Sequence, residues 1–138
     1  MKKDFLLHIL FIFHFIIPVF NTERYLSTCL DSILNQSLSN IEIICINDGS
    51  TDGGVAILDE YAAKDSRIKV VANPVNKGLM HNRKAGVDVA TGEYIMFLDG
   101  DDYYSFDACE KAYNAAKQYD MDIIQFNMAP FSENSGKI

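Results

Sequence analysis

A chain of 138 residues that is 49% hydrophobic and 22% charged has the size and make-up of one folded domain with a real core. Its net charge of −7 argues against a nucleic-acid-binding surface, which needs clustered Lys and Arg, yet leaves room for a nucleotide whose charge a metal neutralises. Cys29, Cys45 and Cys109 are widely spaced and form no C-x-x-C, which speaks against a zinc site or a disulfide framework and for buried thiols in a reducing compartment.

The chain opens on an apolar run, Phe5 to Ile17, broken by His8 and His14. It is too short for a membrane-spanning helix, which needs about 20 residues. Pro18 to Ser27 offers no small-x-small cleavage site. The expectation is a buried first strand over Phe11–Ile17, preceded by an apolar leader, residues 1–10, with no assigned role; membrane or signal use of the run is the competing expectation. Pro18 to Asn21 ends that strand, and Asn21 or Thr22 suits a helix N-cap. Leu26, Cys29, Leu30, Ile33 and Leu34 then recur at helical spacing through about Gln36. The sequon Asn35-Gln36-Ser37 falls inside that helix and reads as accidental.

Ile41–Ile46 reads as a second strand by β-branching, followed by the loop Asn47 to Gly53. A helix over Gly54–Lys64, with Leu58, Tyr61 and Ala62 inward, leads to a strand over Ile68–Ala72. Turn signals at Asn73-Pro74 and Asn76-Lys77-Gly78 precede a helix over Leu79–Ala90, with Gly92 as its stop. The run Y-I-M-F-L from Tyr94 reads as a buried strand that ends in Asp99, Gly100, Asp101 and Asp102. Ser105 is expected to cap a helix whose inner face holds Cys109, Ala112, Tyr113 and Ala116. A fifth strand is expected over Asp122–Met128, before a polar tail at 130–138.

Strand–helix alternation of this kind predicts an α/β fold, a mostly parallel sheet with helices on both faces. With right-handed crossovers every strand points the same way, and ligands gather at the carboxyl edge. The Pro18–Asn21 turn, the Asp48 loop and the Asp99–Asp102 cluster each follow a strand, so all three are expected to line one crevice. The acidic cluster needs a reason. Two carboxylates about 4 Å apart repel by roughly 4 kcal/mol at an effective dielectric near 20. A divalent cation supplies that reason, since hard cations take oxygen ligands. A solvated acidic turn is the duller alternative. At Gly100 the missing side chain lets the backbone approach a ligand and turn sharply.

Asp48 to Asp59 nearly fits a calcium-binding helix–loop–helix, with oxygens at positions 1, 3 and 5 and Gly53 at 6. A strand precedes it where a helix is required, and Asp59 is short for the last ligand. Helix capping explains Ser50, Thr51 and Asp52 but not Asp48, which can accept from a nucleobase imide or a ribose hydroxyl. Arg83 stands one turn after Leu79, on the crevice side by i, i+4 spacing or else in solvent, and its guanidinium suits bidentate phosphate contact. No P-loop, dinucleotide fingerprint or nucleophile-elbow sequence is present.

The stretches Ile16 to Asn21 (I-I-P-V-F-N), Asn47 to Asp52 (N-D-G-S-T-D), Asn76 to Gly86 (N-K-G-L-x-x-x-R-x-x-G) and Gly92 to Asp102 (G-E-Y-I-x-F-L-D-G-D-D) together resemble family 2 glycosyltransferases of the GT-A fold, in order and spacing over about residues 14–128. The resemblance implies a Rossmann-like nucleotide-sugar-binding domain over residues 11–129, ending after about the fifth strand. It implies inverting transfer from a nucleotide sugar, commonly a UDP-sugar, to a saccharide or lipid-linked acceptor, in the cytoplasm or peripherally at the inner face of the cell membrane. Pro18, Phe20 and Asn21 would border the nucleotide, Asp48 its base, and Gly78 and Arg83 its flanks. Asp99 would lie at the ribose and diphosphate and help Asp101 hold Mg²⁺ or Mn²⁺. The family's general base lies past the fifth strand, so the base is expected beyond Ile138 and this chain is expected to be the donor-binding half. Met80 and Lys84 depart from the Ser and Asn of the pattern. A folded remnant that binds nothing, or a calcium module, are the competing expectations.

Overall fold

A computed structural model describes residues 11–130; the leader 1–10 and the tail from residue 131 lie outside the described residues. The element order is β1 (Phe13–Val19), α1 (Glu23–Leu34), β2 (Ile41–Asn47), α2 (Gly54–Lys64), β3 (Ile68–Ala72), α3 (Leu79–Val89), β4 (Tyr94–Phe97) and α4 (Ala108–Tyr119). The four strands form one sheet in the order β3-β2-β1-β4, and every pairing is parallel.

Strand alternation sorts the core into two faces. Phe13, Phe15, Ile17 and Val19 of β1, with Ile41, Ile43 and Cys45 of β2, meet Leu26, Leu30 and Ile33 of α1, Leu58 of α2 and Cys109 and Ala112 of α4. The opposite face is thinner: Ile16, Ile44 and Ile46 pack under Ala85 and Ala90 of or just past α3. That helix comes close because residue 86 is glycine. A Cβ there would stand 2.4 Å from Ile16 Cγ2.

The strand order reverses between β1 and β4, and the sheet opens there. Pairing of β1 with β4 stops at Ile16 and Phe97, whereas pairing with β2 continues to Val19 and Asn47. Ile16 O accepts from Leu98 N–H, so Pro18, two residues on, faces the same side. Proline has no N–H to offer a ladder, and here none is needed.

Several sequence expectations change. Residues 122–128 form no strand: Ile123 and Met128 are 86% and 84% exposed, and Phe126 meets the Tyr104 ring at 5.9 Å. A strand needs a neighbour for its ladder, and none of the described strands lies beside this segment. The β4 strand is not fully buried, because it is the edge of the described sheet; Met96 and Leu98 turn inward while Ile95 and Phe97 are 38% and 42% exposed. Gly92 is not the stop of α3, whose C-cap is Ala90. Its role is close contact, since a Cβ would lie 2.7 Å from the buried His14 ring. Asp107, not Ser105, occupies the N-cap of α4; Ser105 contributes its carbonyl to the Ala108 N–H. The first strand begins and ends two residues later than expected.

Candidate functional site

Three strand ends meet at the sheet opening around a cavity of about 300 Å³. Pro18, Val19 and Phe20 come from the end of β1, and Thr22 from the start of α1. Asp48 follows β2 directly, Asn76 and Gly78 form the loop before α3, and Leu79 and Asn82 come from that helix. Asp99, Gly100 and Asp101 follow β4. In doubly wound sheets this is where ligands bind, at the carboxyl ends of strands beside the reversal of order.

Asp48 is the most constrained member. Its side chain is buried, with the residue 2% exposed. Its Oδ1 accepts from the Lys77 N–H at 2.8 Å and Asn73 Nδ2 at 2.9 Å, and its Oδ2 from the Gly78 N–H at 3.0 Å. Burial pushes its pKa up, but the bonds from Lys77, Asn73, Asn82 and Gly78 outweigh it and hold the carboxyl at about 2. Asp48 is therefore an ionised acceptor that also pins the loop before α3. Gly78 can take its place there because its φ is +90°, a value disfavoured for L side chains.

Gly100 keeps the β4 end near the β1 end. A Cβ there would meet Thr22 Oγ1 at 2.8 Å and Pro18 O at 3.3 Å, so the missing side chain lets the two loops close up, and Gly100 itself lines the cavity. Asp99 pairs with Arg83 at 2.9 Å, and the guanidinium also lies over the Phe97 ring at 5.7 Å. Partial burial, then the charges of Asp101 and Asp99, raise the pKa of Asp102. That mutual repulsion marks an excess of negative charge at the β4 end.

The structure thus brings Pro18, Phe20, Asp48, Gly78, Asp99 and Asp101 to one cavity. Arg83 stands behind it on Asp99. Asn21 takes another place: with φ of 51°, its Oδ1 accepts from the Thr51 N–H at 2.8 Å, which ties the β1 loop to the β2 loop. Sequence reasoning passed over Asn82 and Asn73. A face drawn through Leu79, Asn82, Arg83 and Gly86 would have found the first, but a lone Asn on a helix reads as solvated. Asn73 read only as a turn residue.

The loop after β2 is no calcium loop. A strand precedes it, Asp48 is turned to the loop before α3, and Asp52 bonds two helix starts: its Oδ2 accepts from the Glu23 N–H and its Oδ1 from the Gly54 N–H, each at 2.9 Å. Glu23 answers by accepting from the Gly53 N–H at 3.0 Å. Thr22 occupies the N-cap of α1, as expected, but makes no side-chain cap bond; the Asp52 carboxylate supplies that acceptor instead.

The donor set suits a hard divalent ion brought in with a ligand. Among the described residues no group of three or more His, Cys, Asp or Glu could hold a metal alone. Mg²⁺ is commonly held by one or two carboxylates plus substrate phosphates. Asp101, exposed and without the ion pair that occupies Asp99, fits that demand.

Parallel strands in this order, with helices on both faces and a crevice at the reversal, define a doubly wound α/β domain. The glycosyl transferase family 2 model matches residues 14–138, and the chain belongs to that family. It is 43% identical over 122 residues to the putative glycosyltransferase EpsH of Bacillus subtilis, covering 88% of this chain and 35% of EpsH. It is 40% identical over 111 residues to the poly(ribitol-phosphate) beta-glucosyltransferase of Bacillus spizizenii, covering 78% of this chain and 18% of that protein. The crystal structure of S. aureus TarS 1–349 in complex with UDP-GlcNAc superposes with a TM-score of 0.73 at 26% identity, over 87% of this chain and 37% of that one. The chain therefore spans about a third or less of the length of these relatives, and its fold is the GT-A fold of the family.

Proposed function

We propose that the cavity binds the nucleoside diphosphate of a UDP-sugar and that this chain is the donor-binding part of an inverting glycosyltransferase. The observation that carries the reading is the meeting of Pro18–Phe20, Asp48 and Asp99–Asp101 at one sheet opening. The UDP-GlcNAc complex of TarS supports the choice of donor.

Each residue then has a task. The exposed side chains of Phe20 and Leu79 form apolar lips for the base and ribose. Ionised Asp48 accepts from the base, and Gly78 leaves the backbone open to the nucleotide. Asp101, with Asp99, would hold Mg²⁺ or Mn²⁺, and Arg83 keeps Asp99 at the rim. When bound, the metal supplies charge neutralisation on the departing diphosphate. Attack by an acceptor hydroxyl on the face opposite that group inverts the anomeric carbon. A carboxylate base must take the hydroxyl proton, and we assign that base to no described residue. The acceptor in this reading is a saccharide or a lipid-linked saccharide, met in the cytoplasm at the inner face of the cell membrane. No helix among the described residues is long and apolar enough to cross a membrane.

Calorimetry with UDP and Mn²⁺ tests the reading. Binding is expected with Mn²⁺ and should weaken at least about tenfold with EDTA or in Asp101→Asn, a factor worth about 1.4 kcal/mol. Equal affinity in all three cases overturns the metal assignment, and no heat in any identifies a folded remnant.

A further inference from the structure

Asn82 lies in the first turn of α3, is 1% exposed, and lines the cavity beside Asp48. The two ends of an amide are told apart only by their partners. Here the partners decide. Asp48 is ionised and can only accept, so Asn73 Nδ2 spends its two hydrogens on Asp48 Oδ1 at 2.9 Å and on Asn82 Oδ1 at 2.8 Å. The carbonyl end of Asn82 is thereby fixed. Its NH₂ end is turned away from Asn73 on a residue that lines the cavity with Asp48, and it helps to lower the pKa of that carboxyl.

The result is an acceptor beside a donor at the cavity wall. Asp48 Oδ1 already takes two donors, whereas Oδ2 takes the Gly78 N–H and has room for one more. A ligand N–H arriving at Oδ2 lies beside the Asn82 NH₂ and needs, next to itself, a carbonyl to receive that group's hydrogen. Only then does every buried polar group keep a partner. Uracil meets the condition, with its imide N–H flanked by C=O. Cytosine held in the same position, with its C4 side toward Asn82, fails it twice, because its ring nitrogen sets a lone pair against the carboxylate and its amino group faces the NH₂ of Asn82.

We propose that Asn82 is the specificity-determining residue for the base, pairing with Asp48 to take the N–H and adjacent C=O of uracil and to reject cytosine. This rests on the reading that the cavity holds the base of a nucleoside diphosphate.

The test is calorimetry of the full 138-residue chain with UDP and with CDP, both with Mn²⁺. The wild-type chain should bind UDP at least about tenfold more tightly than CDP. In Asn82→Ala the preference should shrink at least about threefold, as UDP loses its bond to the NH₂ and CDP loses its clash with it, while Asp48 still disfavours the cytosine ring nitrogen. A purely structural role would weaken both nucleotides alike. Asn82→Asp, which keeps the shape and replaces the donor by an acceptor, should lower the ratio at least as far; if thermal unfolding shows it unfolded, Asn82→Ala and the wild-type ratio decide. UDP binding with an unchanged ratio in Asn82→Ala, or no wild-type preference, overturns the role of Asn82 and leaves donor binding intact. A wild-type chain that binds neither nucleotide overturns the donor reading itself, and this inference with it.

Discussion

The sheet face under α1, α2 and α4 and the face under α3 are held in different ways. The first is a broad apolar layer, with Phe15, Ile17, Leu26, Leu30, Ile33 and Ile43 all removed from solvent. The second has three buried isoleucines and one glycine that lets a helix sit close. Yet the thin face carries the helix that supplies Asn82 and Arg83 to the site. Stability and recognition are thus divided between the two sides of one sheet, and a change on one side should tell on a different measurement from a change on the other.

The largest expected effect is on the broad layer. Phe15→Ala should cost about 3–5 kcal/mol in urea or thermal unfolding, because it removes a fully buried ring that packs 5.9 Å from that of Tyr104. Nucleotide affinity, measured where the variant is still folded, should change little. Gly86→Ala probes the thin face. Its methyl would stand 2.4 Å from Ile16 Cγ2 and lift α3. The expected loss is about 1–3 kcal/mol of stability, with a larger relative loss of UDP affinity than Phe15→Ala shows. A variant at Gly86 that loses stability but not affinity would break the division.

The smallest effect concerns His14, on the thin face at the end of the sheet away from the cavity. Burial lowers its pKa from the ordinary 6.5, partly countered by Glu42 at 3.8 Å, and Nδ1 accepts from the Thr91 N–H at 3.2 Å. Protons therefore favour the unfolded chain. The stabilisation is complete above pH 6.5 and is lost as pH falls from there through the lowered folded value. Unfolding midpoints between pH 8 and pH 5.5 should decline for the wild type and stay flatter for His14→Gln.

The elements that were legible in the sequence are those whose signals are local. The limits of α2 and β3 match because turn residues bracket a short pattern on each side. Pro18, Asp48 and Asp101 were placed at one edge because a parallel sheet leaves no other arrangement for residues that follow strands. What escaped depends on neighbours remote in sequence. Whether Ile95 is covered depends on what lies beside β4, and whether residues 122–128 form a strand depends on an available ladder. The orientation of Asn82 depends on Asn73 and through it on Asp48. None of these relations has a period that a linear pattern can show.

The exchanged carboxylates at the helix starts follow the same logic. Asp52 serves α1 and α2, Glu23 of α1 serves the residue before α2, and Asp48 holds the backbone that leads into α3. The Glu23 N–H that opens α1, the Gly53 N–H before α2 and the Gly78 N–H before α3 therefore take acceptors about 30 residues away in the chain, while the Gly54 N–H of α2 is capped locally by Asp52. A peptide cut to α1 alone would lack Asp52 and fray at its amino end. Helix formation and sheet assembly are in consequence one cooperative event, and a loop transplanted from a relative must bring its acidic residue with it or leave a distant helix unanchored.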